Sequence, residues 1–139
     1  MNVLYTAEAT AWGGRNGRAA SSDGNLDVTL VPPKELGGTG TGGTNPEQLF
    51  AAGYAGCFHS ALMVVAKGAG ASVEGSAVTA RVGLGPDDTG GFGLAVELLV
   101  EIPEMERSVA QELVAKAHEV CPYSNATRGN IEVKVELVD

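Results

Sequence analysis

The chain has 139 residues, 44% of them apolar and 19% charged. That is one domain's length with enough apolar material for a core, so a disordered tail is excluded and a single domain over residues 1–139 is expected. A formal net charge of −8 argues against nucleic acid as a partner, whose binding surfaces are basic, and against an anionic membrane.

Residues 1–5 carry no basic segment and no long apolar run, so no secretory signal is expected and the expected compartment is the cytoplasm. Residues 3–11 lean towards an extended strand, broken by Gly13-Gly14. Asp23-Gly24 is a turn signal. Leu26, Val28 and Leu30 alternate with Asp27, Thr29 and Val31 and predict a strand with one buried face, stopped by Pro32-Pro33. Residues 37–43 are only Gly and Thr and predict a loop. A helix start follows, with Asn45 as N-cap, Pro46 at N1 and Gln48 placed to complete a capping box. This helix is expected to run to about Lys67 and to stop at Gly68. Residues 49–66 carry no formal charge, which is the lower limit for a membrane span. Their Gly, Ala, Ser, His and Cys content and the low pI of the chain favour a core helix, apolar all round and buried on all sides.

Residues 76–84 and 92–102 predict two strands joined as a hairpin by the Gly/Pro/Asp loop at 85–91. Residues 108–120 form an amphipathic helix with Val109, Leu113, Val114, Ala117 and Val120 on its apolar face, ended by Pro122. A turn at 124–129 and a strand at 131–137 complete a β-β-α-β-β-α-β order, an α+β arrangement.

Several motifs carry chemistry. Gly38-x-Gly40-x-x-Gly43 resembles a dinucleotide loop, but Pro32-Pro33 separates it from its strand and no acidic residue follows at the required distance, so it reads as a surface loop. Cys57, His59, His118 and Cys121 invite a metal reading. Cys57 and His59 point about 200° apart round one helix, which opposes it, and no metal is assigned. His118 then reads as a helix C-terminal residue favoured by the dipole. Two cysteines are too few for a secreted scaffold but enough for one redox pair; two small buried hydrophobes remain the other reading. Arg15 and Arg18, in a Gly-bounded loop, are of the type that stabilises a thiolate, and Glu47 is of the type that holds a guanidinium in place.

The segments Asn45-Pro46-Glu47-Gln48-Leu49-Phe50-Ala51-Ala52-Gly53-Tyr54-Ala55-Gly56-Cys57-Phe58 and Cys121-Pro122-Tyr123-Ser124-Asn125-Ala126-Thr127-Arg128-Gly129-Asn130 resemble the two signature segments of the organic hydroperoxide resistance (Ohr) proteins of the Ohr/OsmC family of thiol peroxidases. Further family-like segments lie at 13–18, 21–24, 33–38 and 90–94, so the resemblance covers nearly the whole chain. It implies an OsmC-like fold, with antiparallel sheets around a long buried central helix and an intertwined homodimer. It also implies a thiol-dependent organic hydroperoxide reductase. By the resemblance Cys57 is the peroxidatic cysteine, Cys121 the resolving cysteine, Arg15 the arginine beside the thiolate and Glu47 its orienting carboxylate. Asn16, Gly56 and His59 depart from the more usual residues. The implied reductant is a dithiol, dihydrolipoamide or a lipoylated protein, and no cofactor is implied. Phe50, Tyr54, Phe92 and Tyr123 are candidate substrate-binding walls. The alternatives are a general OsmC-type peroxidase and a non-enzymatic redox-sensing module.

Helix geometry adds a constraint. Glu47 and Cys57 are ten residues apart, about 15 Å along one straight helix. Either the helix breaks between them, or two such helices cross antiparallel in a homodimer so that Glu47 of one chain meets Cys57 of the other.

Overall fold

In the computed structural model, which describes residues 1–138, the chain divides after Leu49, and each part has its own sheet. In the first part β1 (Ala9–Trp12), β2 (Arg18–Ser21) and β3 (Asp27–Thr29) form an antiparallel sheet in that order. The extended stretch expected at 3–11 is a strand only from Ala9. β2 escapes sequence reading because Arg-Ala-Ala-Ser has no alternation and little intrinsic β preference; pairing on both edges supplies its order. Between β1 and β2 the chain turns through a 3-10 segment, Gly14–Asn16, that presents Arg15. Leu30, the buried apolar residue of this part, bridges to Thr44 and so brings the chain to the start of the long helix.

That helix, α1 (Pro46–Gly68), is capped as expected at Asn45, whose side-chain oxygen accepts the Gln48 N–H at 2.9 Å. The reciprocal half of the capping box is absent: the Gln48 side chain instead accepts the Thr44 hydroxyl at 2.6 Å. Asn45→Ala is expected to cost about 1 kcal/mol, to be read as a lower midpoint in urea unfolding. The stop is Gly70 rather than Gly68. Gly70 is left-handed (φ 68°), and the Ala71 N–H reaches back to Ala66 O at 2.9 Å while the Gly70 N–H bonds Lys67 O, a Schellman ending.

In the second part β4 (Ala77–Pro86) and β5 (Phe92–Glu101) form the expected hairpin, with Pro86 opposite Phe92. β6 (Val133–Val138) lies parallel to β5, not antiparallel. A parallel neighbour needs a crossover, and α2 (Arg107–Val120) with α3 (Pro122–Thr127) provides it. Pro122 ends α2 and also opens α3 at its first position, where its missing N–H costs nothing, so the turn expected at 124–129 is mostly helix. Tyr54, Phe58 and Leu62 of α1, Val96, Leu98 and Val100 of β5, and Leu113 and Ala117 of α2 share one core. On α2 the buried residue of the first turn is Ala110, whereas Val109 and Val120 remain exposed.

α1 is long and apolar enough to cross a membrane by length and composition, yet Tyr54, Phe58, Ala61, Leu62 and Ala66 pack into this core. The expectation of burial on every side fails within one chain. Ala52, Gly56, Ser60, Met63 and Val64 form an exposed stripe, with Met63 at 55% and Val64 at 68% exposure.

Candidate functional site

The first part holds the Arg15–Glu47 ion pair, which is built for rigidity. Arg15, on the 3-10 turn, donates from Nη1 and Nη2 to the two oxygens of Glu47, both at 2.7 Å. Glu47 stands in the first turn of α1, where the helix dipole favours a carboxylate. The pairing holds the Glu47 carboxyl below its ordinary range and raises Arg15 above its own, chiefly through the hydrogen bonds between them. The fork-to-fork geometry fixes the guanidinium plane, which a single-point contact would leave free to rotate. Arg18 is taken elsewhere: it binds both oxygens of Asp27 at 2.8 Å and lies over the Trp12 ring at 5.4 Å. Of the two candidate arginines, Arg15 and Arg18, only Arg15 is held by a helix-borne carboxylate.

The second part holds the sulfurs. Cys57 is half-buried in the middle of α1, and Cys121 is fully buried at the joint between α2 and α3. Both are free thiols, 64 positions apart in sequence, with Cys121 Sγ 3.6 Å from Cys57 Sγ. The Cys121 backbone is fixed on both sides, its N–H bonding Ala117 O and its carbonyl accepting from the Asn125 N–H. Burial pushes the Cys57 thiol up from its ordinary value and Cys121 adds to the rise, while the Tyr123 backbone N–H pulls it down. A neighbouring sulfur raises it because two thiolates in contact cannot both be charged.

Three of the four candidate wall residues meet. The rings of Phe50, Tyr54 and Tyr123 lie with centroids 5.6–6.3 Å apart, tilted or edge-on. Tyr54 is fully enclosed, and Tyr123 is 40% exposed. Gly53 makes this possible, since a Cβ there would sit 3.0 Å from the Tyr123 hydroxyl. Phe92, 72% exposed at the start of β5, makes no ring contact with the other three among the described residues.

The histidines serve hydrogen bonds. His59 Nε2 bonds the Ser76 hydroxyl at 2.9 Å and His118 Nδ1 bonds the Ser124 hydroxyl at 2.7 Å. No group of three or more His, Cys, Asp or Glu that could hold a metal ion occurs among the described residues. The dipole reading of His118 needs correction, because burial and the Arg128 charge lower its pKa and Arg128 caps the His118 carbonyl at 2.6 Å.

A model of the OsmC-like protein family matches residues 38–136. The chain is 57% identical over 136 residues to the organic hydroperoxide resistance protein of Xanthomonas axonopodis pv. citri, covering 97% of this chain and 95% of that one. It belongs to the organic hydroperoxide resistance group of the OsmC-like family. It is also 52% identical to the organic hydroperoxide resistance protein OhrB of Bacillus subtilis, across 97% of this chain and 98% of that one. Among solved structures, the organic hydroperoxide resistance protein of Elizabethkingia anophelis matches with a TM-score of 0.95 at 53% identity, over 100% of this chain and 99% of that one. The OsmC-like fold expected from the resemblance is therefore present, β6 included.

What sequence reasoning missed in this family member is the set of hydroxyls behind the cysteines. Ser124 and Thr127, read as turn residues, are buried on α3 and bond the Tyr54 hydroxyl at 2.8 and 3.1 Å. Their i, i+3 spacing straight after Cys121-Pro122 is the one signal that could have found them.

Proposed function

We propose that the chain is a cysteine-based, thiol-dependent peroxidase that reduces organic hydroperoxides to alcohols. The observation that carries this reading is the approach of two free thiols to 3.6 Å, one half-buried and one fully buried. Cys57 thiolate attacks the terminal oxygen of ROOH; the O–O bond breaks, leaving Cys57 sulfenic acid and an alcohol. Arg15, oriented by Glu47, stabilises the thiolate and the charge developing on the leaving oxygen. A cation is needed there, because burial alone pushes the Cys57 thiol up. Cys121 then displaces the sulfenic oxygen as water and closes a disulfide, which a dithiol such as dihydrolipoamide or a lipoylated protein reopens by exchange. Phe50 and Tyr123, backed by Tyr54, and Phe92 supply an apolar approach that favours bulky organic peroxides. The reducing cytoplasm is the compartment where such a pair cycles.

The working unit in this proposal is a homodimer. α1 runs without a break from Pro46 to Gly68, so ten residues of helix, about 15 Å, separate Glu47 from Cys57 along one chain. The exposed Ala52 and Gly56 allow a second α1 to approach closely, and an antiparallel crossing there brings the Arg15–Glu47 pair of one chain to Cys57 of the other.

With dithiothreitol as reductant, the wild type is expected to consume cumene hydroperoxide at least about tenfold faster than hydrogen peroxide, judged by kcat/KM. Equal rates on both would indicate a general peroxidase. Stoichiometric oxidation of the thiols with no turnover would indicate a redox sensor and overturn the proposal.

A further inference from the structure

The buried hydroxyls behind the cysteines form a single hydrogen-bonded run whose direction can be worked out from one end. Thr127 donates its hydroxyl proton to the Ser124 carbonyl at 3.2 Å. Each hydroxyl has one proton to give, so Thr127 Oγ1 can only accept from Tyr54, 3.1 Å away. Tyr54 has then spent its proton and must accept from the Ser124 hydroxyl at 2.8 Å. Ser124 has spent its own in turn and must accept from His118 Nδ1 at 2.7 Å. The run therefore reads His118 Nδ1–H to Ser124 to Tyr54 to Thr127 to the Ser124 carbonyl. It requires His118 to carry its hydrogen on Nδ1. Tyr54 and Ser124 are fully buried and Thr127 nearly so, so a broken run would leave a hydroxyl unpaired away from water, and a reversed run would give up the bond from Thr127 to the Ser124 carbonyl.

The placement of the four residues gives the run a purpose. His118 lies on the last turn of α2, three positions before Cys121; Ser124 and Thr127 follow it on α3. Tyr54 lies three positions before Cys57 on α1. The run thus ties both flanks of Cys121 to the helix that carries Cys57. Closing the disulfide shortens the sulfur separation from 3.6 Å to about 2.05 Å, a movement the backbone around Cys121 has to guide.

We propose that the His118–Ser124–Tyr54–Thr127 run, directed by an Nδ1–H tautomer of His118, positions Cys121 for its attack on oxidised Cys57. This rests on the reading of Cys57 and Cys121 as the peroxidatic and resolving pair. In that step the Cys121 sulfur bonds to the Cys57 sulfur, the S–O bond of the sulfenic acid breaks, and the Cys121 proton leaves with the hydroxide as water. The four residues act through the backbone that carries Cys121, so they are positioning residues. The run fixes a hydrogen on Nδ1 alone; burial and the Arg128 charge, which lower the His118 pKa, favour the neutral ring.

Long-range proton–nitrogen NMR of the reduced protein labelled at histidine is expected to give the Nδ1–H pattern for His118; an Nε2–H pattern overturns the direction of the run. Disulfide closure is then timed by quenched mass spectrometry after one equivalent of cumene hydroperoxide. His118→Asn keeps an amide donor near the Nδ1 position and is expected to close at close to the wild-type rate. His118→Gln, which moves the amide towards the Nε2 position, and Ser124→Ala are expected to close at least about tenfold more slowly, with the first oxidation of Cys57 unchanged. His118 is only partly buried, so its two variants carry the test if Ser124→Ala fails to fold. Equal closure in His118→Asn and His118→Gln overturns the proposal. Diamide closes the same disulfide without peroxide. If the wild type does not consume peroxide but diamide gives the same ranking, the peroxidase reading falls and the positioning run stands.

Discussion

Mixing a Cys57→Ser chain with a Glu47→Ala chain is expected to restore activity that neither chain has alone. Cys57→Ser removes the nucleophile and should show no turnover above background. Glu47→Ala leaves the thiol but releases Arg15 from the two 2.7 Å bonds that hold its plane, and is expected to lower kcat/KM about 10²-fold. In a homodimer with composite sites, the mixed dimer places both defects in one site and leaves the other site intact. It should therefore recover about half of a wild-type dimer's activity, or about a quarter after random exchange of subunits. If each chain completed its own site, both sites of the mixed dimer would be defective and mixing would restore nothing. The measurement is cumene hydroperoxide consumption after co-refolding, with the mixed species isolated by differential tags. A monomer active at high dilution would also sink the composite site. The effect is large because the two sites of the mixed dimer differ by a whole nucleophile and not by a small change in geometry.

The long helix was legible because its start depends on neighbours. Asn45 and Pro46 act within one turn, and Asn45 does cap the helix. The errors came where a local signal had a competitor that the sequence does not rank. Gln48 had Thr44 as an alternative to the backbone, and Gly70 displaced Gly68 because only a left-handed residue two positions later completes the Schellman bonds. Pro122 does end α2, as expected, but the same residue at N1 also starts α3, so the turn expected at 124–129 is mostly helix. At the candidate site, Arg15, Glu47, Cys57 and Cys121 could each be nominated by residue type, and the family resemblance gave them roles. The 3.6 Å between the sulfurs could not be read from 64 intervening positions. Nor could the burial of Ser124: a serine looks like a turn residue until its partners, Tyr54 70 positions back and His118 one helix back, are known. The exposed stripe of α1 corrected the expectation of burial on all sides, and it is the surface that the proposed second chain would cover.

Replacing Cys121 with serine is expected to separate the first oxidation from everything after it. Serine is nearly isosteric in this fully buried position, so the core should tolerate it. It also removes the one neighbouring group that, beside burial, pushes the Cys57 thiol up, so the thiolate fraction at neutral pH should not fall, and the first reaction with cumene hydroperoxide should stay within about threefold of wild type. The sulfenic acid formed on Cys57 then has no thiol at 3.6 Å to displace its oxygen. It should persist long enough to be trapped by dimedone, and excess peroxide should carry it to the sulfinic acid, which dithiols do not reverse. With peroxide and dithiol both present, the variant should therefore lose activity as it turns over, faster at higher peroxide, while the wild type keeps a constant rate. Mass spectrometry of the intact chain should show a gain of two oxygens in the variant and a loss of two hydrogens in the wild type. If the variant instead cycles indefinitely at the wild-type rate, Cys121 is not the resolving thiol and its contact with Cys57 serves only the packing of α3 against α1. In the proposed mechanism, the proximity of the sulfurs protects against over-oxidation as much as it opens a route for recycling. A buried thiol in van der Waals contact competes with peroxide for the sulfenic acid at an effective concentration that no free dithiol matches.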